Sequence, residues 1–430
     1  YPASLQADDW TGCIIGGVPV LNNRASFPQY WAPQDPSVAL KDLPFSDTQS
    51  WRQADKRCGI IRSHKQFLFA LDLIENGTEI TDGVRWSAPA DIGGVPPTWD
   101  ELDTTNVAGI TNLGGEGGVI VDGKSLRDAF IIYRQNAIDV VDFIGGSLVW
   151  QFRSLSRTVG AATPNAIEEV NGVHYFIGDG DIYFNDGNQV ESLLYKKLRR
   201  RFRATLNGSF LKRAFTVRNE AATEIWFCVP VNGSEYANRA YLFNWRDKSW
   251  SERDIPPSAS GDYGVRSEPQ TTWGNLGRLW KQAVQPWSQR NLTPLAETIL
   301  TVEGLEAGDT ATQAKLYGLE INTQGEVIFD SVSFIERIGF ALEGIATTHT
   351  ITRVYPHMRG EGKVYITMGS MDFPGAPIRW KPREMFDPQT MRSVTTRTTG
   401  ELHCFRIESV DDVDWQMSGL IIEYVEAGVR

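Results

Sequence analysis

Cysteine and histidine are scarce in this chain of 430 residues, which has 4 Cys and 5 His. Cys13, Cys58, Cys228 and Cys404 form no CxxC pair and no metal-ligand spacing, and each lies in or beside an apolar run. They are expected as buried free thiols, in keeping with assembly in a reducing compartment. His64, His174, His349, His357 and His403 are scattered with no HExxH, and there is no G-x-S-x-G nucleophile elbow. No catalytic residue, cofactor or metal site is therefore named. No signal-peptide pattern and no 18-residue apolar run is present, so no membrane segment is expected. Cations are in deficit: 42 Lys and Arg against 53 Asp and Glu give a net charge of -11. Such a surface repels phosphate overall and makes a poor non-specific DNA clamp. The chain opens on Tyr1 rather than Met, and an N-terminal portion is expected to be missing.

Long amphipathic helical patterns are also rare. What the chain has instead is 40 Gly, 21 Pro and 14 Trp, the composition of a turn-rich all-β protein. The stretch from Arg153 to Arg203 shows its grammar. Val173–Ile177 and Ile182–Phe184 are short β-branched and aromatic runs joined by Gly178-Asp179-Gly180-Asp181 and flanked by Asn171-Gly172 and Asp186-Gly187. That is a hairpin, because Asn-Gly and Asp-Gly supply the positive φ of tight turns. Eight such pairs begin at Asn76, Asp82, Asp122, Asn171, Asp179, Asp186, Asn207 and Asn232. Strand pairs are read around Ile14–Leu21, Ile60–Leu73, Phe130–Phe143, Val173–Phe184, Phe215–Val229 and Tyr241–Trp250. Several begin roughly 40 to 45 residues apart, the period of four-stranded propeller blades.

The expected fold is thus all-β: a β-propeller with loop insertions over residues 1–290 and a β-sandwich-like domain over 295–430. An irregular insertion is placed at about 76–118. Within it Val84–Gly109 reads as a loop with a contact role, too long for an idle connector. A second irregular stretch is read from Asp254 to Gly277. The clearest strands of the last domain are EVIFDSVSFIERIGFAL, KVYITMGS, ELHCFRIES and GLIIEYVEAG.

Three motifs bear on function. Gly118 to Ser125, GVIVDGKS, matches the P-loop pattern G-x-x-x-x-G-K-[ST]. A P-loop needs a strand before it and a long helix after it, whereas Val-Ile-Val belongs in a strand. The segment is read as a strand ending at an Asp-Gly turn, and an NTP-dependent protein stays as an outside reading. Asp179, Asp181 and Asp186 lack the calcium loop's twelve-residue spacing and closing Glu, so they are read as turns. Lys196, Lys197, Arg199, Arg200, Arg201 and Arg203 form a basic segment that is either a solvated helix face or a contact to a subunit or DNA. Leu198 and Phe202, at i and i+4, give it an apolar stripe that favours burial against protein, hence subunit contact.

Taken in order, several phrases resemble the tail nozzle proteins of short-tailed bacteriophages, also called tail tubular protein B, and the related packaged-DNA stabilisation or tail-hub proteins. They are GCIIGGVPVLNN with PQYW, VRWSAPADIGGVPPTWD, FIIYRQNAIDVVDFIGG running into FRSLSRTVGAATPNAI, VHYFIGDGDIYFNDG, EIWFCVPV with FNWRDKSWSERDIP, GELHCFRIES and WQMSGLIIEYVEAGVR. The resemblance spans nearly the whole chain. It implies a structural virion protein, assembled in the bacterial cytoplasm as a homo-oligomeric ring of six copies. The ring would lie below the portal and its adaptor, contact tail fibre or spike proteins, retain the packaged genome and pass double-stranded DNA at ejection. An acidic channel wall would let DNA slide. The alternative from another class is a carbohydrate-binding or glycoside-hydrolysing propeller, against which stands the absence of the Ser-x-Asp-x-Gly-x-Thr-Trp blade repeat.

Overall fold

The computed structural model describes residues 9–31, 39–103, 105–146, 149–265, 297–305, 314–319, 333–343, 347–360, 362–410 and 415–429. Contacts divide the chain into two units, Tyr1–Glu326 and Val327–Arg430. Among the described residues, the first unit is five antiparallel sheets in chain order. Sheet one joins β1 (Trp10–Ile15), β2 (Val18–Asn23), β3 (Gln29–Tyr30) and β4 (Lys41–Asp42). Sheet two joins β5 (Lys56–His64), β6 (Phe67–Glu75), β7 (Thr78–Trp86) and β8 (Gly109–Asn112). Sheet three joins β9 (Ile120–Leu126), β10 (Ala129–Arg134), β11 (Ile138–Phe143) and β12 (Trp150–Ser156). Sheet four joins β13 (Ile167–Val170), β14 (Val173–Gly178), β15 (Asp181–Asn185) and β16 (Val190–Ser192). Helix α1 (Lys196–Thr205) follows. Sheet five joins β17 (Phe215–Asn219), β18 (Glu224–Val229), β19 (Ala237–Asn244), β20 (Ser249–Val265), β21 (Glu297–Glu303) and β22 (Leu316–Gly318).

Strand after strand pairs with its chain neighbour, and each sheet packs on the next through its own apolar layer. Ile15, Val20, Ile61 and Leu68 sit between sheets one and two. Phe69, Val84, Phe130 and Val141 fill the gap between two and three. Ile131, Val140, Ile167 and Phe176 do so for three and four, and Ile177, Ile182, Ile225 and Phe227 for four and five. Meander sheets stacked face to face in chain order are blades, so the unit is propeller-like, as the spacing of hairpins predicts. The six hairpins expected from the sequence are all present. Asn76, Asn171 and Asn232 turn at positive φ, each followed by a positive-φ Gly.

Several expectations need correcting. Asp82-Gly83 and Asp122-Gly123 lie inside β7 and β9 rather than at turns, and Asn207 heads a short 3-10 helix. The stretch 76–118 is not an insertion, for it holds β7 and β8, half of sheet two. Its loop, 87–108, is anchored in the core at Ala88, Ala90 and Trp99, while Ile92 and Leu102 stay exposed. Trp99 is fully buried edge-on against Trp51, 4.9 Å between ring centroids, with Ala88 and Ala90 also buried. Arg85 reaches the Trp99 carbonyl at 3.1 Å and pairs with Glu75 at 2.6 Å and with Glu101. The text after Asp254 is not irregular either. β20 runs on to Val265 and places Pro256-Pro257 where its register with β19 slips, a kind of strand position that tolerates a missing N–H. Residues 266–277 lie outside the described residues. Because β21 and β22 extend sheet five, the boundary between the units falls at 326/327, later than the expected 290–295.

The second unit is a two-sheet sandwich. One sheet orders β23 (Phe334–Phe340), β29 (Leu402–Ser409), β25 (Val364–Met371) and β26 (Arg379–Trp380), with β27 (Glu384–Phe386) also on β25. The other orders β28 (Val394–Gly400), β24 (Thr347–Gly360) and β30 (Trp415–Val429). Ile351, Val354, Val364, Ile366 and Ile407 form the layer between them. Alternation along β25, with Val364, Ile366 and Met368 buried, produces that inner face.

Trp99→Ala is expected to remove about 3–5 kcal/mol of stability, the usual cost of emptying a buried indole site. Denaturant titration checks it. A loss below about 1 kcal/mol would return the 87–108 loop to the status of a surface excursion.

Candidate functional site

The basic segment is a helix, with Tyr195 in extended conformation before it and no side-chain cap. Leu198 and Phe202 face inward and are buried in the layer between sheets four and five, Phe202 edge-on to Tyr241 at 5.0 Å. The apolar stripe is therefore satisfied within its own chain, which corrects the inference that it seeks another subunit. Its cations divide into two groups. Arg199 pairs with Asp181 at 2.8 Å and donates to Ser192, while Arg201 pairs with Glu252 at 2.9 Å. Lys196 and Arg200 are exposed, with no ion pair among the described residues. Arg203 is exposed and donates to the carbonyls of Gly180 at 3.0 Å and Asp179 at 3.4 Å. Lys196, Arg200 and Arg203, at i, i+4 and i+7, share one solvent face, and Lys197 lies on the same helix.

The aspartates near it act as turn residues. Asp179-Gly180 makes the β14–β15 turn, with Gly180 at φ 64°. Asp186 accepts the N–H groups of Asn188 and Gln189 at 2.8 Å each, which holds its carboxyl below the usual range.

GVIVDGKS is strand, as read, but the turn falls later. β9 passes through Asp122-Gly123 and ends at Leu126, and Arg127 takes the positive φ. Lys124 Nζ donates to the Ile167 carbonyl at 2.7 Å and pairs with Glu168 at 3.0 Å. The glycine run before it has the polarity opposite to a phosphate cradle. The carbonyls of Gly114 and Gly118 accept from the buried Arg134 guanidinium at 2.7 and 3.0 Å. A Cβ on Gly117 would stand 2.6 Å from Arg134 Cζ, so the loop closes on the cation only with Gly there.

Sequence reasoning missed a polar node on the innermost strands. Arg62 of β5 holds Asp122 of β9 in a two-pronged pair at 2.7 and 3.0 Å, and donates to the Gly12 carbonyl of β1 at 2.8 Å. It also donates to Asn165 Oδ1 at 2.8 Å, just ahead of β13. Asn165 N–H donates to Asp122 at 3.0 Å, its amide to the Trp10 carbonyl at 3.4 Å, and its carbonyl accepts from Thr216 of β17 at 3.3 Å. All five sheets meet at this node. Asn165 adopts φ 60°, a conformation Asn enters more readily than other residues with a Cβ. A Pro-Asn pair in the loop ahead of the hairpin was the available signal.

Two histidines tie strands together in the first unit. His174 donates from Nε2 to the Ser125 carbonyl at 2.8 Å, so Nδ1 is left to accept from Tyr133 O–H at 2.9 Å. His64 contacts Ser125 Oγ at 2.8 Å and the Asp128 carbonyl at 3.1 Å. His349 and His403 are buried in the sandwich, and none of their ring nitrogens has a hydrogen-bond partner. A hollow of about 310 Å³ is lined by Lys65, Arg127, Asp128, Asp142, Arg153 and Asp186 among others. Asp142 there is paired with Arg153 at 2.8 Å and Asp128 with Lys65 at 3.6 Å. No group of three His, Cys, Asp or Glu suited to a metal occurs among the described residues. Their helices include none long and apolar enough to cross a membrane.

No family model and no curated protein matches the chain. Among solved structures it is similar to Kluyveromyces lactis Hsv2, with 9% identity, a TM-score of 0.33, and 59% of this chain and 67% of that chain covered. It is also similar to the apocarotenoid oxygenase of Synechocystis, with 9% identity, a TM-score of 0.30, and 60% of this chain and 61% of that chain covered. Likeness this distant carries no argument, and the blade architecture rests on the strand order itself.

Burial pushes His64 and His403 down to about 4 and His174 to about 3, from an ordinary 6.5. The unfolded chain thus takes up these protons first. Stability supplied by the neutral rings is whole above pH 6.5, declines as pH falls toward 4 to 3, and is level below that. Asp72 and Asp139, pushed up by burial, act with the opposite sign, so the comparison is made with a variant. The dependence of the melting temperature on pH between 6.5 and 4 is expected to be shallower in His174→Gln than in the parent. Equal slopes would show that His174 is not held neutral.

Lys124→Ala should cost about 0–1 kcal/mol, the worth of a partly exposed pair, and leave calorimetric titration with ATP unchanged. ATP binding that the substitution abolishes would restore the P-loop reading.

Proposed function

We propose that this chain is a structural subunit of a short-tailed bacteriophage tail, forming a nozzle or hub ring of six copies. The ring continues the DNA channel below the portal and adaptor, holds the packaged genome and passes it out at ejection. One observation carries the reading: the phrases that resemble the tail nozzle proteins contain several of the residues that fix the blades and their loops, although Arg62 and Asp122 lie outside them. Gly12 lies in GCIIGGVPVLNN, Arg85 and Trp99 in VRWSAPADIGGVPPTWD, Arg134 in FIIYRQNAIDVVDFIGG and Asn165 in the phrase ending TPNAI. The resemblance thus includes framework positions.

Other features support it. A net charge of -11 suits a conduit in which DNA must slide without being held. Four free cysteines suit a protein assembled in the cytoplasm. Tail fibre or spike proteins and the adaptor would take the exposed surfaces of the two units.

Purified protein should give closed rings of six in negative-stain images, with a matching mass by light scattering. A monomer at every concentration tested, with hydrolysis or retention of a glycan on an array, would overturn the reading in favour of a carbohydrate-active propeller.

A further inference from the structure

The charge of the first unit is sorted along the chain. From Ser87 to Gly123 there is no Lys or Arg, against Asp91, Asp100, Glu101, Asp103, Glu116 and Asp122. From Ser192 to Asn219 there is no Asp or Glu, against nine Lys and Arg. The two stretches sit on different blades. The acidic loop packs into the layer between sheets one and two, and α1 into the layer between sheets four and five. Within each stretch, part of the charge is spent locally: Glu101 on Arg85 and Asp122 on Arg62, Arg199 on Asp181 and Arg201 on Glu252. Exposed beyond these are Lys196, Arg200, Arg203 and Lys212 on one side and Asp91, Asp103 and Glu116 on the other, and of the cations Lys196, Arg200 and Arg203 share the face of α1.

Each surface also carries apolar groups with no cover. Ile92 is 94% exposed and Leu102 84% exposed, while Tyr195 at the start of α1 is 59% exposed. These are not ends of loose segments. Gly93 N–H donates to the Gly16 carbonyl at 3.0 Å, Ala90 N–H to Gln66 at 2.7 Å and Trp99 N–H to Phe45 at 2.7 Å, so the backbone beneath Ile92 and Leu102 is pinned. Leu102 N–H donates in turn to Asp100 Oδ1 at 3.0 Å. A pinned loop that holds two branched aliphatic side chains in water between carboxylates fits a surface that is positive, with an aromatic at its edge.

We propose that the cationic face of α1, with Tyr195, docks on the acidic loop around Asp91, Ile92, Leu102 and Asp103 of a second copy of this chain. The proposal rests on the ring reading above and names its contact. Two complementary surfaces on different blades give a head-to-tail interface, which forms a ring where its rotation closes and a filament where it does not. Complementary charge sets the register of that contact and repels wrong pairings. The excess of acid over the whole chain leaves the cations of α1 matched to the chain's own commonest charge.

The test uses two variants of the full chain, Lys196→Glu with Arg200→Glu, and Asp91→Lys with Asp103→Lys. Neither touches Leu198, Phe202, Trp99 or the ion pairs of Arg199 and Arg201. Each variant alone presents like charge to like, and its assembly concentration should rise roughly tenfold or more, as expected when two exposed pairs become repulsive. Mixed one to one, the two variants restore every contact in alternation, so rings should return with both in equal amount. Parent rings that weaken with added salt belong to the same expectation. Rings from each variant alone, at the parent's concentration, overturn this contact while leaving the ring reading intact. So does assembly that is lost in each variant and not restored by mixing. Rings from the helix variant that bind or retain less DNA would assign α1 to phosphate instead. A parent that never assembles removes the ring reading itself.

Discussion

The pairing of Arg62 with Asp122 and Asn165 is the constraint on which the first unit depends. It ties the carbonyls of Trp10 and Gly12, the carboxylate of Asp122 and the amide of Thr216 to one guanidinium and one asparagine. Apolar layers between blades are tolerant of sliding, because dispersion and burial have little direction. A two-pronged guanidinium–carboxylate contact has direction in every one of its bonds. The side chains are nearly out of water, 14% and 4% exposed, so the pair adds little net stability against an apolar replacement. Breaking it by removing one partner would cost about 3–5 kcal/mol, since an uncompensated charge would stay behind. Its contribution is registry: inner strands that share this node have one angular order.

Other charges set inside the fold follow the same logic. Arg85 is spent on Glu75, Glu101 and the Trp99 carbonyl, and so fixes the 87–108 loop as the floor of the layer between sheets one and two. Arg134 is wrapped by the carbonyls of Gly114 and Gly118, which turns a glycine-rich run into a collar. Ser125 connects His64 of sheet two through its hydroxyl and His174 of sheet four through its carbonyl. In the last of these, polar groups of neighbouring blades satisfy one another, so separating the blades would leave buried donors unmet.

Strands were legible because their signal is local. A short β-branched and aromatic run with a turn residue at each end suffices, and Val173–Phe184 shows both. Turn signals misled where the same dipeptide served another purpose. Asp122-Gly123 looks like a hairpin tip, yet Asp122 is needed inside β9 to meet Arg62. A Cβ on Gly123 would stand 2.5 Å from the Phe130 ring, so close packing holds that glycine and not a turn. The extent of β20 was hidden because Pro256 and Pro257 read as breakers, and only the slip in the β19 register makes room for them. Beyond the Pro-Asn pair at 164–165, the node left no mark in the sequence. Its members, residues 10, 12, 62, 122, 165 and 216, are brought together solely by the closure of successive blades, a non-local event without a sequence period.

The basic helix shows why the fate of a few apolar atoms decides what a charged segment can do. Had Leu198 and Phe202 faced solvent, burial of that stripe would have dominated any contact, with the cations as rim. Their place beneath Tyr241 removes that driving force and leaves a face made of Lys196, Arg200 and Arg203. Such a face attracts through long-range charge, weakens with salt and selects by sign before shape. Apolar help must then come from residues beside the helix or from the partner. In this chain the groups of that kind, Tyr195 next to α1 and Ile92 and Leu102 on the acidic loop, stand on the two surfaces of opposite sign.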